Sequence, residues 1–458
     1  MNRFGTFQSP TRLGFGVALL GVLAGLVPAP LPAQRVIGQI AFEQYTLANG
    51  LSVILAPDHT SQVVAVDVWY RAGSRDETPA HAGMARLFES LMFSGSANVP
   101  LGGHAAIVEN VGGRGEAGAD EDIARYIQSL PSNRLNLGLW LEAERMRSLA
   151  INDTTVAQAR DNLLRELQQK IGGETYTAAV LDAVAALYDS TACPGYSHPP
   201  TGRVGTIAAI TTADVLAFYH QRYTPGNARL VIAGDFDPAD ARTLITQYFA
   251  DLPATGAAPM ATCTATFSPG AKTLTTHDRR ATHAAVGLFY RIPGANHADM
   301  PALQLLGAIL GQGREGRLLQ ALGSRGLTIA SQAGVLGERA GPGAFGLFAA
   351  AGDGVAADSL RALLEAQVRW ATSDSLGELE LTRAKNIYRA TAVSVRERPE
   401  DIAETLHHAA TFLGSADAAN ADLAKTLAMT VADLHRVARV WFTPANALTL
   451  VVTPEAAR

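Results

Sequence analysis

Cysteine is nearly absent: Cys193 and Cys263 are the only two in 458 residues. Two cannot build a disulfide framework or a cysteine zinc site. A dominant charge sign is also missing. The formal net charge is -5, which gives no electrostatic basis for binding nucleic acid. Charged residues make up 17% of the chain and hydrophobic residues 48%, which excludes a disordered polymer and supplies apolar material for large cores. Beyond the N-terminus no apolar run approaches the roughly 20 residues that a bilayer span requires.

The one such run, from Leu13 to Val27, follows Arg3 and Arg12 and precedes the small residues up to Ala33. A basic flank, a short apolar segment and small residues form the pattern of a secretory signal peptide, with cleavage expected after Ala33. The chain then reads as exported, to the periplasm or the extracellular space. No cysteine adjoins the cleavage point, which argues against a lipid anchor. Export permits a disulfide. Cys263, however, falls in a stretch that reads as linker, so the two thiols are expected to stay unbridged.

The clearest organisational signal is an internal repeat. TTADVLAFYHQRYTPGNARLVIA (211–233) and TVADLHRVARVWFTPANALTLVV (430–452) share one register: Pro225 matches Pro444 and Asn227 matches Asn446, both at an offset of 219. Each copy reads as an amphipathic helix, a Thr-Pro-x-Asn turn in which Asn tolerates unusual dihedrals, and a buried strand. Two homologous halves follow, with boundaries at 34–254 and 272–458 after a leader at 1–33. Small, polar and Pro/Gly-bearing residues mark 255–271 as linker. Asn49-Gly50 between alternating runs predicts a hairpin. Strands are expected at 63–71, 122–130 and 284–291, and helices at 79–93, 102–111, 132–149, 153–171 and 298–310. This mixture predicts an α+β fold, each half a mostly antiparallel sheet sandwiched with helices.

The segment GSRDETPAHAGMARLFESLMFSGS (73–96) resembles the insulinase/pitrilysin-type zinc metallopeptidases, especially their processing-peptidase-like subfamily. Gly73, Ser74, Glu77, Gly83, Ala85, Glu89, Phe93, Gly95 and Ser96 fit that family's pattern. The family's His-x-x-Glu-His motif is degenerate here: it reads Arg86-Leu87-Phe88-Glu89-Ser90. Further departures are Glu116 and Ala119, after Gly112-Gly113, where the family has Asn and Thr. The likeness resumes at 139–146, 196–238, 317–327 and 378–385, and so covers the whole mature chain. Glu166 stands at the family's third-ligand position.

Two histidines at i and i+4 face one side of a helix, and a glutamate from a neighbouring helix completes a three-ligand zinc site with an open water position. Arg86 remains protonated and offers no lone pair, and neutral Ser90 is a poor ligand. No zinc is therefore expected in this chain; the resemblance implies zinc only in a partner subunit. Glu89 is the remnant of the general-base position. Arg86 either replaces the lost cation by pairing with Glu89 and Glu166 or reaches solvent from an open cleft. His59, His81, His104 and the adjacent His407-His408 are expected at the surface or in loops. Ser90 lacks a nucleophile elbow, and the GQGREG run at 311–316 lacks the ending of a phosphate loop. Arg317 matches a position that contacts peptide in the family, but Ile329 stands where a companion Tyr would be.

The resemblance implies a non-catalytic, peptidase-like subunit that pairs with a zinc-bearing paralogue and encloses a peptide. A stand-alone binding or structural homodimer without proteolysis is the alternative, and a divergent active peptidase is disfavoured by the ligand losses.

Overall fold

The structure is a computed structural model describing residues 38–455, apart from 171–172, 255, 257–258, 260–262 and 264–270. The expected signal segment lies outside the described residues. Gln39–Arg458 forms one compact unit.

The first half runs β1 (Glu43–Thr46), β2 (Ser52–Pro57), β3 (Val63–Tyr70), α1 (Met84–Leu91), α2 (Gly103–Asn110), β4 (Arg114–Ala119), β5 (Ala124–Pro131), α3 (Leu135–Ser148), α4 (Asp153–Lys170), α5 (Thr177–Ala185), α6 (Val204–Ala209), α7 (Thr212–Arg222), β6 (Ala228–Gly234) and α8 (Pro238–Phe249). Its sheet order is β1-β2-β6-β3-β5-β4, antiparallel except for β2 with β6. The second half runs β7 (Lys272–Asp278), β8 (Ala285–Ile292), α9 (Met300–Gly311), α10 (Arg317–Ala321), β9 (Thr328–Val335), β10 (Gly343–Ala351), α11 (Ala357–Thr372), α12 (Glu378–Ser394), α13 (Pro399–Phe412), α14 (Ala418–Ala428), α15 (Val431–Trp441) and β11 (Ala447–Pro454). Its order, β7-β11-β8-β10-β9, repeats the first without β1, and the parallel pair recurs as β7 with β11. The α+β fold with two sheet-and-helix halves is therefore present.

The repeat is visible atom by atom. Thr211 and Thr430 cap α7 and α15 by accepting from the amides of Asp214 and Asp433, a reciprocal capping box in each half. The following Asn does not serve by adopting an unusual dihedral. Instead its amide ties two carbonyls: Asn227 Nδ2 donates to Arg222 O at 2.7 Å and Arg71 O at 2.9 Å. Asn446 Nδ2 donates to Trp441 O at 2.7 Å and Arg291 O at 2.8 Å. In both halves a strand is thereby anchored beside its antiparallel neighbour.

Alternation along the central strands gives each sheet two faces. Val64, Val66, Val68 and Tyr70 join the helices of the first half in its main core, and Val286, Leu288, Tyr290 and Ile292 do the same in the second. The opposite faces are covered reciprocally. Ile402, Ala403, Leu406 and Ala409 of α13 pack on the first sheet. Ala183 of α5, with Leu187 and Tyr188 beyond it, packs on the second. Each fully buried Leu or Ile in these seams contributes about 1.5–3 kcal/mol, so the halves interlock rather than merely touch.

Three expectations are corrected. Cys193 and Cys263 are joined in a disulfide with a Cα separation of 4.2 Å, and both belong to the apolar cluster over the second sheet. His104 and His407 are buried: His104 lies 3.0 Å from Arg145 Nη2, and His407 stacks on Trp69. β4, the edge strand, was not anticipated. Its sequence, RGEAGA, has neither β-branched residues nor apolar alternation, and pairing with β5 overrides that weak local preference.

Candidate functional site

The site is built on α1, and its N-terminus is fixed first. Gly83 takes a φ of +104°, a conformation that costs glycine nothing. Glu77 folds back beneath it, accepting from Gly83 N at 2.8 Å and Ala85 N at 2.7 Å. Burial pushes the Glu77 carboxyl up to about 8, against the pull of those two amides. Met84, Ala85, Leu87, Phe88 and Leu91 bury one face of α1. The remaining positions i, i+3 and i+4, namely Arg86, Glu89 and Ser90, share the other face and meet α4.

There Arg86 spans two carboxylates. Its Nη1 donates to Glu89 Oε1 at 2.6 Å, and its Nη2 donates to Glu166 Oε1 of α4 at 2.7 Å. Glu89 Oε1 also accepts from the amide of Ala119 at 2.6 Å, which ties α1 to the edge strand β4. Ser90 Oγ accepts from Asn162 Nδ2 at 3.3 Å. The triad is partly withdrawn from water, with side-chain exposures of 21%, 17% and 35% for Arg86, Glu89 and Glu166. Burial raises the Glu89 pKa, opposed by Arg86 and the Ala119 amide and reinforced by the charge of Glu166. Beneath lies a fully buried support in which Arg145 Nη2 donates to Glu142 Oε1 at 2.6 Å and sits over the rings of Phe93 and Tyr126.

This donor set does not fit zinc. A guanidinium stands between the two carboxylates that would flank the ion, and the fourth group is a hydroxyl. Among the described residues no group of three or more His, Cys, Asp or Glu side chains is placed to hold a metal. Nor does Ser90 meet a histidine that could activate it; its hydrogen-bond partner is an amide.

The remaining candidates lie elsewhere. Arg317, at the start of α10, turns onto its own half: its Nε donates to Gln367 Oε1 at 3.0 Å, and the guanidinium sits 4.5 Å from the centroid of Trp370. Ile329 is 61% exposed on the edge strand β9. Glu116 projects from the edge strand β4, three residues from the amide that binds Glu89. No residue pattern points to the Ala119 amide as a partner, because backbone groups carry no residue signature.

Comparison with known proteins accounts for this arrangement. Residues 52–187 match "Insulinase (Peptidase family M16)" and residues 209–388 match "Peptidase M16 inactive domain". The chain is 28% identical over 449 residues to the zinc protease PqqE of Helicobacter pylori, covering 96% of this chain and 98% of that one. The crystal structure of a protease from Helicobacter pylori superposes with a TM-score of 0.84 at 25% identity, covering 91% of this chain and all of that one. The M16 inactive domain from Pseudomonas fluorescens superposes at 0.80 with 20% identity, covering 91% and 99%; that likeness concerns the fold. With both halves matched and the strand order duplicated, the chain belongs to the insulinase (M16) peptidase family.

Proposed function

We propose that this chain is a non-catalytic, peptidase-like subunit that pairs with a zinc-bearing paralogue and helps to enclose the peptide which that partner cleaves. The observation that carries this reading is the position of Arg86 between Glu89 and Glu166. A guanidinium bonded to both carboxylates supplies the positive charge a metal would otherwise provide. It also stands where a metal ion would bind and activate a water. Glu89, held by Arg86 and the Ala119 amide, is then a structural remnant of the general base. A peptide contact by Arg317 would require it to leave Trp370 and Gln367.

Export of the mature chain is part of the proposal. The leader pattern supports it, and so does the Cys193–Cys263 disulfide, since such bonds persist in oxidising compartments.

The test is purification at native abundance, followed by peptide hydrolysis assays on the isolated chain and on whatever co-purifies. The proposal expects a heterodimer with a His-x-x-Glu-His chain, whose cleavage is lost when that partner is removed. Elution only as a homodimer that cleaves nothing would replace it with a stand-alone binding role.

A further inference from the structure

A second polar site lies at the seam between the first sheet and α13, and it is independent of the reading of the metal position. A cavity of about 120 Å³ opens there, lined by Asp67, Trp69, Glu116, Arg125, Glu400 and Glu404 among others. This is room for a head group of a few heavy atoms, not for a drug-sized molecule.

Its floor is Asp67, in the middle of β3 and only 1% exposed. Among the described residues neither Asp67 Oδ1 nor the Trp69 indole N–H has a hydrogen-bond partner. His407 Nε2 stands 3.7 Å from Oδ2 and is 3.1 Å from the main-chain oxygen of the same residue. Burial pushes the Asp67 carboxyl well above the usual aspartate range, reinforced by Glu404 and Glu142, and the nearby Trp69 indole and Arg125 offset this only in part. Around the mouth, the arginines are engaged by acids of α13: Arg125 with Glu404, Arg114 with Glu400, and Arg398 with Glu400 and Asp401. Glu116 has no basic partner in any described ion pair. After pairing, the surplus in the lining is acidic.

The duplicated half shows that the seam does not need this cavity. Asp67 sits opposite Val231 in the first sheet, and Gly287 sits opposite Leu450 in the second; Val231 and Leu450 are equivalent in the repeat. At Gly287 a Cβ would collide with the ring of Phe289, which fills the space. Phe289 packs with Leu448, Leu450 and Leu187 in a closed apolar seam. A buried carboxyl oxygen without a hydrogen bond costs free energy that the apolar solution avoids, so its place at the base of a cavity calls for a ligand, and a cation there would favour the ionised form.

We propose that this cavity binds an organic cation, a guanidinium or primary ammonium group, whose donors meet Asp67 and whose charge balances the surplus acid at Glu116. A guanidinium suits the site best, since it is planar, weakly hydrated and able to donate paired hydrogen bonds to a carboxyl group. Two sources share this chemistry: a free amine, and an arginine or lysine side chain of a peptide.

Isothermal titration of the full exported chain distinguishes them. The probes are agmatine, a blocked Gly-Gly-Arg-Gly-Gly peptide and its citrulline counterpart, a neutral isostere. One-to-one binding of a cationic probe is expected, weakened about ten-fold or more by citrulline and by Asp67→Asn. Tighter binding of the arginine peptide than of agmatine assigns the source to a peptide side chain; equal or weaker binding assigns it to a free cation. Should Asp67→Asn not fold, Glu116→Gln, an exposed change, is expected to weaken binding measurably. No binding to the wild type, equal binding of the citrulline peptide, or affinity unchanged in a folded Asp67→Asn or, failing that, in Glu116→Gln overturns the proposal.

Discussion

α1 and α9 occupy equivalent places in the two halves, each following the central strand and lying near the edge strand. α9 is apolar nearly all round, with Met300, Leu303, Leu306 and Leu310 among its buried residues. It lies directly on β9: a Cβ at Gly307 would come within 2.9 Å of the Gly334 Cα, and one at Gly311 would collide with the Ala333 backbone. α1 instead keeps a polar face, with Arg86, Glu89 and Glu166 on that side, and reaches β4 through one hydrogen bond from the Ala119 amide. The same scaffold has thus been closed by packing in one copy and held by charge in the other. The outer seams repeat the contrast, with Phe289 over Gly287 in one half and Asp67 beneath a cavity in the other. A duplicated fold dictates strand order and caps; it does not dictate that both copies carry a site.

The contrast can be broken most severely at the packed side. Phe289→Ala should cost about 3–5 kcal/mol in urea unfolding, the range for deleting a buried aromatic ring. A cost below about 1 kcal/mol would mean that the second seam is not closed by packing.

The caps of α1 and α9 should respond to pH with opposite sign. Glu77 has its pKa raised by burial to about 8. Its contribution is full below the unfolded value near 4.5 and is lost as pH rises through about 8. Asp299, at the N-cap of α9, is pushed up by burial but held lower overall by Arg436 and Trp441. Its contribution is present above the ordinary aspartate range and lost as pH falls below it. From pH 5 to 8 the Glu77 contribution should therefore decline by at most about 1.4 kcal/mol per unit, and Glu77→Gln should remove that part of the measured slope. An unchanged slope in the variant would remove Glu77 from the account.

Arg86→Ala leaves Glu89 and Glu166 facing each other. Discounted for partial exposure, the loss should be about 1–2 kcal/mol at pH 7, and smaller at pH 4, where Glu89, its pKa raised by burial, takes up a proton. The smallest effect belongs to the arginine of the second half: Arg317→Ala should cost about 0.5–1 kcal/mol, the worth of a cation–π contact, as a modest shift in urea midpoint.

Much of this was legible in the sequence. The Thr-Pro-x-Asn repeat announced two halves because caps and turns depend on local residue types. The spacing of Arg86, Glu89 and Ser90 announced one helix face because the helical period is fixed. What escaped depended on distant partners. β4 became a strand only by pairing with β5, Cys263 found Cys193 only once the intervening chain had folded, and His407 was buried only by α13 docking on a sheet some 340 residues earlier in the chain. The Asp67 cavity was invisible for the same reason, since a lone Asp in an apolar strand says nothing about the helix that will cover it.

The central claim is that a guanidinium has taken the place of a metal. Zinc content is its most direct measure, taken on the wild type and on Arg86→His with Ser90→His combined, each dialysed against excess zinc and then against buffer. The account predicts no stoichiometric zinc in the wild type, and zinc retained by the double variant through the two histidines and Glu166. Stoichiometric zinc in the wild type, lost together with peptide cleavage in Glu166→Gln, would contradict it.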